Sequence, residues 1–230
     1  MKKINILLLF VIATLTMSCE KLDNYDEPGE RLSGSLIDQT TGEALVTEQP
    51  NGFRIKMSEI SWSDNPEPEY FWGKADGTFN NTKIFAGTYE ITPVEGAFFP
   101  VESQTHEIKG SVNVEFKVIP YLSVSITDAK RINDETMEVT YTIARKQVGD
   151  KILDSRVFIS TNPNVGTNIL SNDLSPLKDL KDIPDEDILQ TTFKETIKGL
   201  VKGETYYLRV GARTDNADKR YNFTKIIKVD

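Results

Sequence analysis

The sequence predicts an all-β protein built as two successive β-sandwiches, and three observations carry that prediction. Apolar residues recur with period two in many short segments, turn signals separate those segments, and no apolar pattern of helical period runs to helix length. The chain has 230 residues, and once an export signal is set aside about 210 remain, enough for two small domains with modest cores.

The amino terminus comes first. Met1-Lys2-Lys3 is followed by Ile4 to Val11, broken only by Asn5, and apolar character continues to Met17. A charged segment before a short apolar one marks an export signal; a membrane-spanning helix needs about 20 apolar residues. Leu15-Thr16-Met17-Ser18-Cys19 resembles the lipobox of bacterial lipoproteins, with Thr16 where that family prefers leucine. The resemblance implies cleavage after residue 18, lipidation of Cys19 and a lipid anchor in the outer membrane. Cys19 is the only cysteine, so the chain cannot form an internal disulfide, and acylation explains a lone exported thiol. Two or more acyl chains, each buried methylene contributing about 0.8 kcal/mol, anchor stably.

Cleavage would remove two of the 27 basic side chains and none of the 35 acidic ones, leaving 25 basic and a net charge of −10. Such a surface argues against nucleic acid and anionic membrane as partners. Residues 19–30 read as a polar tether, with Asp23, Asp26, Glu27, Pro28 and Gly29. Fully extended, a stretch of that length reaches about 35 Å. Acids soon after a lipidated cysteine resemble the surface-export signal of Bacteroidetes lipoproteins, which implies the cell surface.

A first sandwich is expected over residues 31–119. Leu32 to Ile37 leads into the turn Asp38-Gln-Thr-Thr-Gly42. Phe53, Ile55 and Met57 alternate with Arg54, Lys56 and Ser58, a half-buried strand. The apolar parity then shifts to Ile60 and Trp62, the mark of a bulge or a strand leaving the core. Ser63 to Glu69, with Pro66 and Pro68, reads as an exposed loop, and Tyr70 to Ala75 as a strand closed by the turn Asp76-Gly77. Gly87 to Thr92 and Val112 to Val118 add further strands. The run G-x-L-x-D-x-x-T-G (Gly34 to Gly42), D-G-T-F (Asp76 to Phe79), F-A-G-T-Y-x-I-x-P (Phe85 to Pro93) and F-K-V-x-P-Y-L-x-V (Phe116 to Val124) resembles the transthyretin-like (prealbumin, carboxypeptidase-regulatory-like) sandwich. It is also similar to a family of Bacteroidetes lipoproteins without an assigned activity, encoded beside starch-utilisation-type outer-membrane receptors. That resemblance implies a glycan-related setting, with polysaccharide or oligosaccharide and an outer-membrane receptor complex as partners.

A second sandwich is expected over residues 120–230. Met137, Val139, Tyr141 and Ile143 alternate, as do Val157 and Ile159. Leu200-Val-Lys-Gly-Glu-Thr-Tyr206, followed by Leu208, Val210 and Ala212 on one face, is similar to the fibronectin-type-III signature L-x-P-G-x-x-Y of that immunoglobulin-like fold, with Lys202 in place of the proline. The resemblance gives Tyr206 a structural role, its hydroxyl bonding back to the backbone at the sandwich corner. Asn162 to Gln190 is long for a sandwich connection; a short helix is expected near Leu177–Lys181, and Pro184-Asp-Glu-Asp187 reads as solvated surface.

Catalytic machinery is thin. His106 is the only histidine, no serine sits in G-x-S-x-G, and H-E-x-x-H is absent. His106, between Glu102, Gln104 and Glu107, reads as an exposed strand or loop residue. Asp215-Asn216-Ala217-Asp218 lacks the glycine and distal glutamate of a calcium loop and reads as a hairpin turn. No enzyme activity, cofactor or metal is expected. Aromatics are the most suggestive feature. Trp62, Tyr70, Phe71 and Trp72 flank the proline-containing loop, and most of them are expected to fill the first core or the domain interface. The alternative is a ligand platform, in which Trp62, Tyr70 and Trp72 form one patch and Asp64, Asn65 and Glu67 bond sugar hydroxyls. The function expected is a non-enzymatic outer-membrane lipoprotein accessory to glycan binding and uptake, with a structural spacer or adhesin-like protein as the alternative.

Overall fold

The computed structural model describes residues 27–230. The expected export signal, Cys19 and the part of the expected tether up to residue 26 lie outside the described residues. The first seven strands are β1 (Glu30–Asp38), β2 (Arg54–Glu59), β3 (Glu69–Trp72), β4 (Thr78–Ile84), β5 (Gly87–Val94), β6 (Gln104–Ile108) and β7 (Ser111–Val118). They form two sheets in the orders β4-β1-β7 and β3-β2-β5-β6. All pairings are antiparallel except β1 with β7, which runs parallel from Arg31 opposite Ser111 to Asp38 opposite Val118. Between the sheets lies a core that includes Leu32, Leu36, Phe53, Ile55, Phe79, Ile91 and Phe116.

The eight strands that follow are β8 (Ser123–Asn133), β9 (Thr136–Ala144), β10 (Ile152–Ser160), β11 (Leu177–Asp179), β12 (Thr192–Lys198), β13 (Tyr206–Thr214), β14 (Asn222–Phe223) and β15 (Ile227–Val229). One sheet has the order β12-β9-β8; the other has β11-β10-β13-β14, with β15 also on β13. That is the fibronectin-type-III arrangement. The core between the sheets holds Met137, Val139, Tyr141, Val157, Ile159, Phe193, Leu208 and Val210. The protein is therefore all-β, two sandwiches in series.

Local chemistry explains the turns. Asp38 Oδ1 accepts the Thr40 N–H at 2.7 Å, and Asp76 Oδ1 accepts the Thr78 N–H at 3.0 Å and its hydroxyl at 2.7 Å. These bonds, the Thr78 hydroxyl foremost, hold the Asp76 carboxyl below its ordinary range. Gly77 takes φ +77°, and a Cβ there would stand 2.4 Å from the Leu45 carbonyl oxygen, so only glycine fits.

Three sequence expectations are corrected. Leu177–Asp179 is strand, paired with Asp154–Arg156 on β10, and not helix. The only α-helix of the described residues is α1 (Asp185–Gln190), which begins six residues after Asp179 and is too short to announce itself by period. Its Asp185 is not idle solvated surface: it pairs with Arg145 at 2.7 Å and accepts the Ile152 N–H at 3.1 Å. Finally, β3 ends at Trp72, short of Ala75; Gly73 packs against the Phe53 ring, where a Cβ would stand 2.0 Å from it.

The sandwiches meet in a polar seam. Arg209 on β13 lies 3.6 Å from Glu48, donates to the Thr47 carbonyl at 2.7 Å, and stacks 3.6 Å above the Phe223 ring centroid. Glu48 also accepts the backbone N–H and the hydroxyl of Thr167, at 3.0 and 2.8 Å. Asn222 donates to the Ala97 carbonyl at 2.7 Å and accepts the Leu122 N–H at 2.9 Å.

Candidate functional site

A broad cavity lies within the first sandwich, at the end from which β1 enters. It measures about 700 Å³. Met57 and Tyr89 form its floor, both core residues, while Trp62 and Phe85 stand at its mouth, 82% and 53% exposed. Five glutamates complete the lining: Glu27, Glu30, Glu59, Glu67 and Glu69.

The fold positions Trp62 from both sides. Strand β2 ends at Glu59, so the parity shift at Ile60 is a strand leaving the core. The departing segment is tied to β5: the Ile60 N–H donates to the Thr88 carbonyl at 2.8 Å, and the Ser61 hydroxyl accepts the Thr88 N–H at 2.6 Å. Glu59 Oε1 accepts the Ser61 N–H at 2.9 Å. The indole therefore projects from a rooted segment. Opposite it, the Tyr89 hydroxyl donates to the Phe85 carbonyl at 3.1 Å and fixes the bend that presents Phe85. Burial first, then the Glu59 and Glu69 charges, push the Tyr89 hydroxyl above its ordinary value. An exposed aromatic pair over an apolar floor can stack on the C–H face of a sugar ring, and the carboxylates can accept its hydroxyls.

The single Trp62–Tyr70–Trp72 patch does not form. Strands β2 and β3 do pair as a hairpin, but Trp72 lies opposite Arg54 and Glu69 opposite Met57, so Trp72 is at the end remote from the loop. Three residues of strand separate Glu69 from Trp72, about 10 Å. Alternation then puts Phe71 toward the core and Tyr70 and Trp72 on the outer face of the sheet. The expectation of core or interface packing fails for Trp62 too, which is the most exposed aromatic side chain among the described residues. Asp64 and Asn65 are exposed on the loop but outside the cavity walls, where Glu67 and Glu69 stand.

On the outer face, Tyr70 and Trp72 hold protein cations. The Arg54 guanidinium lies 4.4 Å from the Tyr70 ring centroid and 5.6 Å from that of Trp72, and it is ion-paired with Glu95. Arg220 of the second sandwich lies 5.9 Å from the Trp72 ring.

The remaining residues singled out in the sequence fall elsewhere. Tyr206 is buried, and its hydroxyl accepts the Val201 N–H at 3.0 Å. His106 is half-buried on β6, its ring bonded to the Gln104 side chain at 3.1 Å. Asp215 pairs with Lys219 at 3.0 Å, and buried Asn216 accepts the Lys219 N–H at 2.6 Å, which closes a tight turn. Phe85, Glu59 and Glu69 were missed as site residues. Phe85 opens the F-A-G-T-Y run, whose other residues serve the fold, so its exposure had no separate signature.

The fold and this cavity define a two-sandwich β-protein with an aromatic, acid-rimmed pocket at one end. Residues 30–119 match the family described as "Protein of unknown function (DUF3823) N-terminal domain". A DUF3823 family protein from Bacteroides uniformis superposes with a TM-score of 0.78 at 25% identity, over 88% of this chain and 99% of that one. A "putative carbohydrate binding protein" from Bacteroides uniformis gives 0.71 at 22% identity, over 88% and 99%. A DUF3823 family protein from Parabacteroides merdae gives 0.70 at 19% identity, over 89% and 100%. No match was found among curated proteins.

Proposed function

We propose that this protein is a non-enzymatic lipoprotein of the outer membrane, facing the cell surface, that binds saccharide as an accessory to glycan uptake. One observation carries the saccharide part: Trp62, 82% exposed, stands with Phe85 over a cavity of about 700 Å³. Leaving an indole in water forfeits burial that contributes about 2–3 kcal/mol, a cost a stacking ligand would recover. A protein sharing this fold is described as a "putative carbohydrate binding protein", which supports the same direction. Lipidation of Cys19 would put the site close to the membrane, because Gly29 and Glu30 line the cavity. Ten residues from Cys19 span at most about 35 Å. A receptor complex in the same membrane is within reach of such a tether.

The test is an array of oligosaccharides on residues 20–230, followed by calorimetric titration of the strongest. One shallow stack gives weak affinity, around millimolar or about 4 kcal/mol. Trp62→Ala should weaken binding about tenfold while leaving the fold intact. Trp72→Ala should change nothing. Full binding by Trp62→Ala would remove the cavity as the site.

A second reading is a structural spacer. It is favoured by the seam, where Arg209–Glu48 and Asn222 fasten the two sandwiches through buried polar contacts.

A further inference from the structure

We infer that the saccharide taken by the cavity of the first sandwich carries an amine, its ammonium group held against Trp62 and Phe85 and among the carboxylates of Glu59, Glu67 and Glu69; this rests on the saccharide binding proposed above. The site is the aromatic cavity, and its charge selects the ligand. Five glutamates line it and, among the described residues, no lysine, arginine or histidine does. None of the five forms an ion pair among the described residues.

The outer face of the same hairpin shows what this combination of groups holds when it is filled. There the rings of Tyr70 and Trp72 face the Arg54 guanidinium, and the Glu95 carboxylate neutralises it. Ring, cation and carboxylate satisfy one another within the chain. The cavity repeats the rings and the carboxylates without the cation. An aromatic face attracts an ammonium group through its quadrupole, and a desolvating pocket strengthens that attraction. Acidic sugars meet the opposite: their carboxylate or sulfate would face five like charges. A bare metal ion is a poorer fit than an organic cation. Among the described residues no three acidic side chains converge closely enough to hold one, so the charge is spread around a space the size of a sugar.

The experiment titrates the chain from residue 20 at low salt and mildly acidic pH with three probes: glucosamine oligomers, the same oligomers fully N-acetylated, and spermidine. Glucosamine oligomers should bind about tenfold more tightly than the acetylated ones. That margin should shrink in about 0.5 M salt, where the screening length is only a few ångströms. Glu67→Gln with Glu69→Gln should erase the preference by bringing the two affinities together, whereas Trp62→Ala should weaken both and keep the preference. Equal affinity for the two oligomers would overturn the amine and leave saccharide binding standing. Spermidine binding as tightly as the glucosamine oligomer would overturn the sugar as the source of the ammonium. Binding of none of the three, while a neutral glycan from the array binds, would overturn this inference alone; a silent array would overturn the saccharide function as well.

Discussion

Arg209 and Glu48 face each other 3.6 Å apart in the seam between the two sandwiches, with 3% and 7% of their side chains exposed. Neither charge is stranded. Glu48 has both donors of Thr167, and Arg209 has the Thr47 carbonyl and the Phe223 ring. Burial pulls the guanidinium down to about 10, against the opposing pull of Glu48. A pair of this kind contributes less to stability than its geometry suggests, but it is costly to break.

Arg209→Met should therefore destabilise the protein by about 3 kcal/mol, because Glu48 stays buried without its cation. Glu48→Gln should cost a similar amount. The double variant should cost clearly less than the two together, since neither charge is then left alone. Urea denaturation of the four proteins measures this. Strict additivity would show that the two residues are not coupled.

The same seam bears on domain autonomy, which we propose for residues 31–119 and 120–230. Each half, expressed alone, should keep β-rich circular dichroism and dispersed amide signals, because each has its own core. Both should melt below the intact chain, having exposed Glu48 on one side and Arg209 on the other. Collapse of both halves would show a single cooperative unit.

Tyr206→Phe should cost about 1 kcal/mol by removing the acceptor of the Val201 N–H. Oligosaccharide affinity should be untouched, since Tyr206 belongs to the second sandwich and the cavity to the first. An unchanged denaturation midpoint would deny the hydroxyl its corner role.

Tyr141 predicts an alkaline limit. Burial pushes its hydroxyl up to about 12, opposed by the bond to Ser155, which is 2.8 Å long. An unfolded tyrosine ionises near 10. Between these values the unfolded chain holds fewer protons than the folded one, so stability is full below about pH 10 and falls as pH rises toward 12. The loss should reach about 2–3 kcal/mol. Tyr221, raised in the same direction by burial and by its bond to Asp154, steepens it. Tyr141→Phe should flatten the pH profile of the unfolding free energy between 10 and 12. An unaltered profile would place the titration elsewhere.

Cys19→Ala should abolish acylation and leave an uncleaved or mislocalised precursor. Metabolic labelling with an alkyne palmitate analogue reads this directly. Equal label in wild type and variant would end the lipoprotein proposal.

Sequence alone determined what depends on neighbours along the chain. Val112, Val114, Phe116 and Val118 announce β7 by alternation, Asp76-Gly77 announces its turn by chemistry, and two prolines announce the exposed loop before Glu69. Each signal is local, because strand period and turn conformation are set by residues within a few positions. Tertiary structure alone decided the rest. Leu177–Asp179 became strand because the β10 edge offered hydrogen-bond partners. Glu48 and Arg209 met across 161 positions of chain, beyond any local pattern. Trp62 and Trp72, ten residues apart, parted to the cavity mouth and the outer sheet face; pairing register and the point where β2 left the core set those directions, and both are properties of the folded sheet.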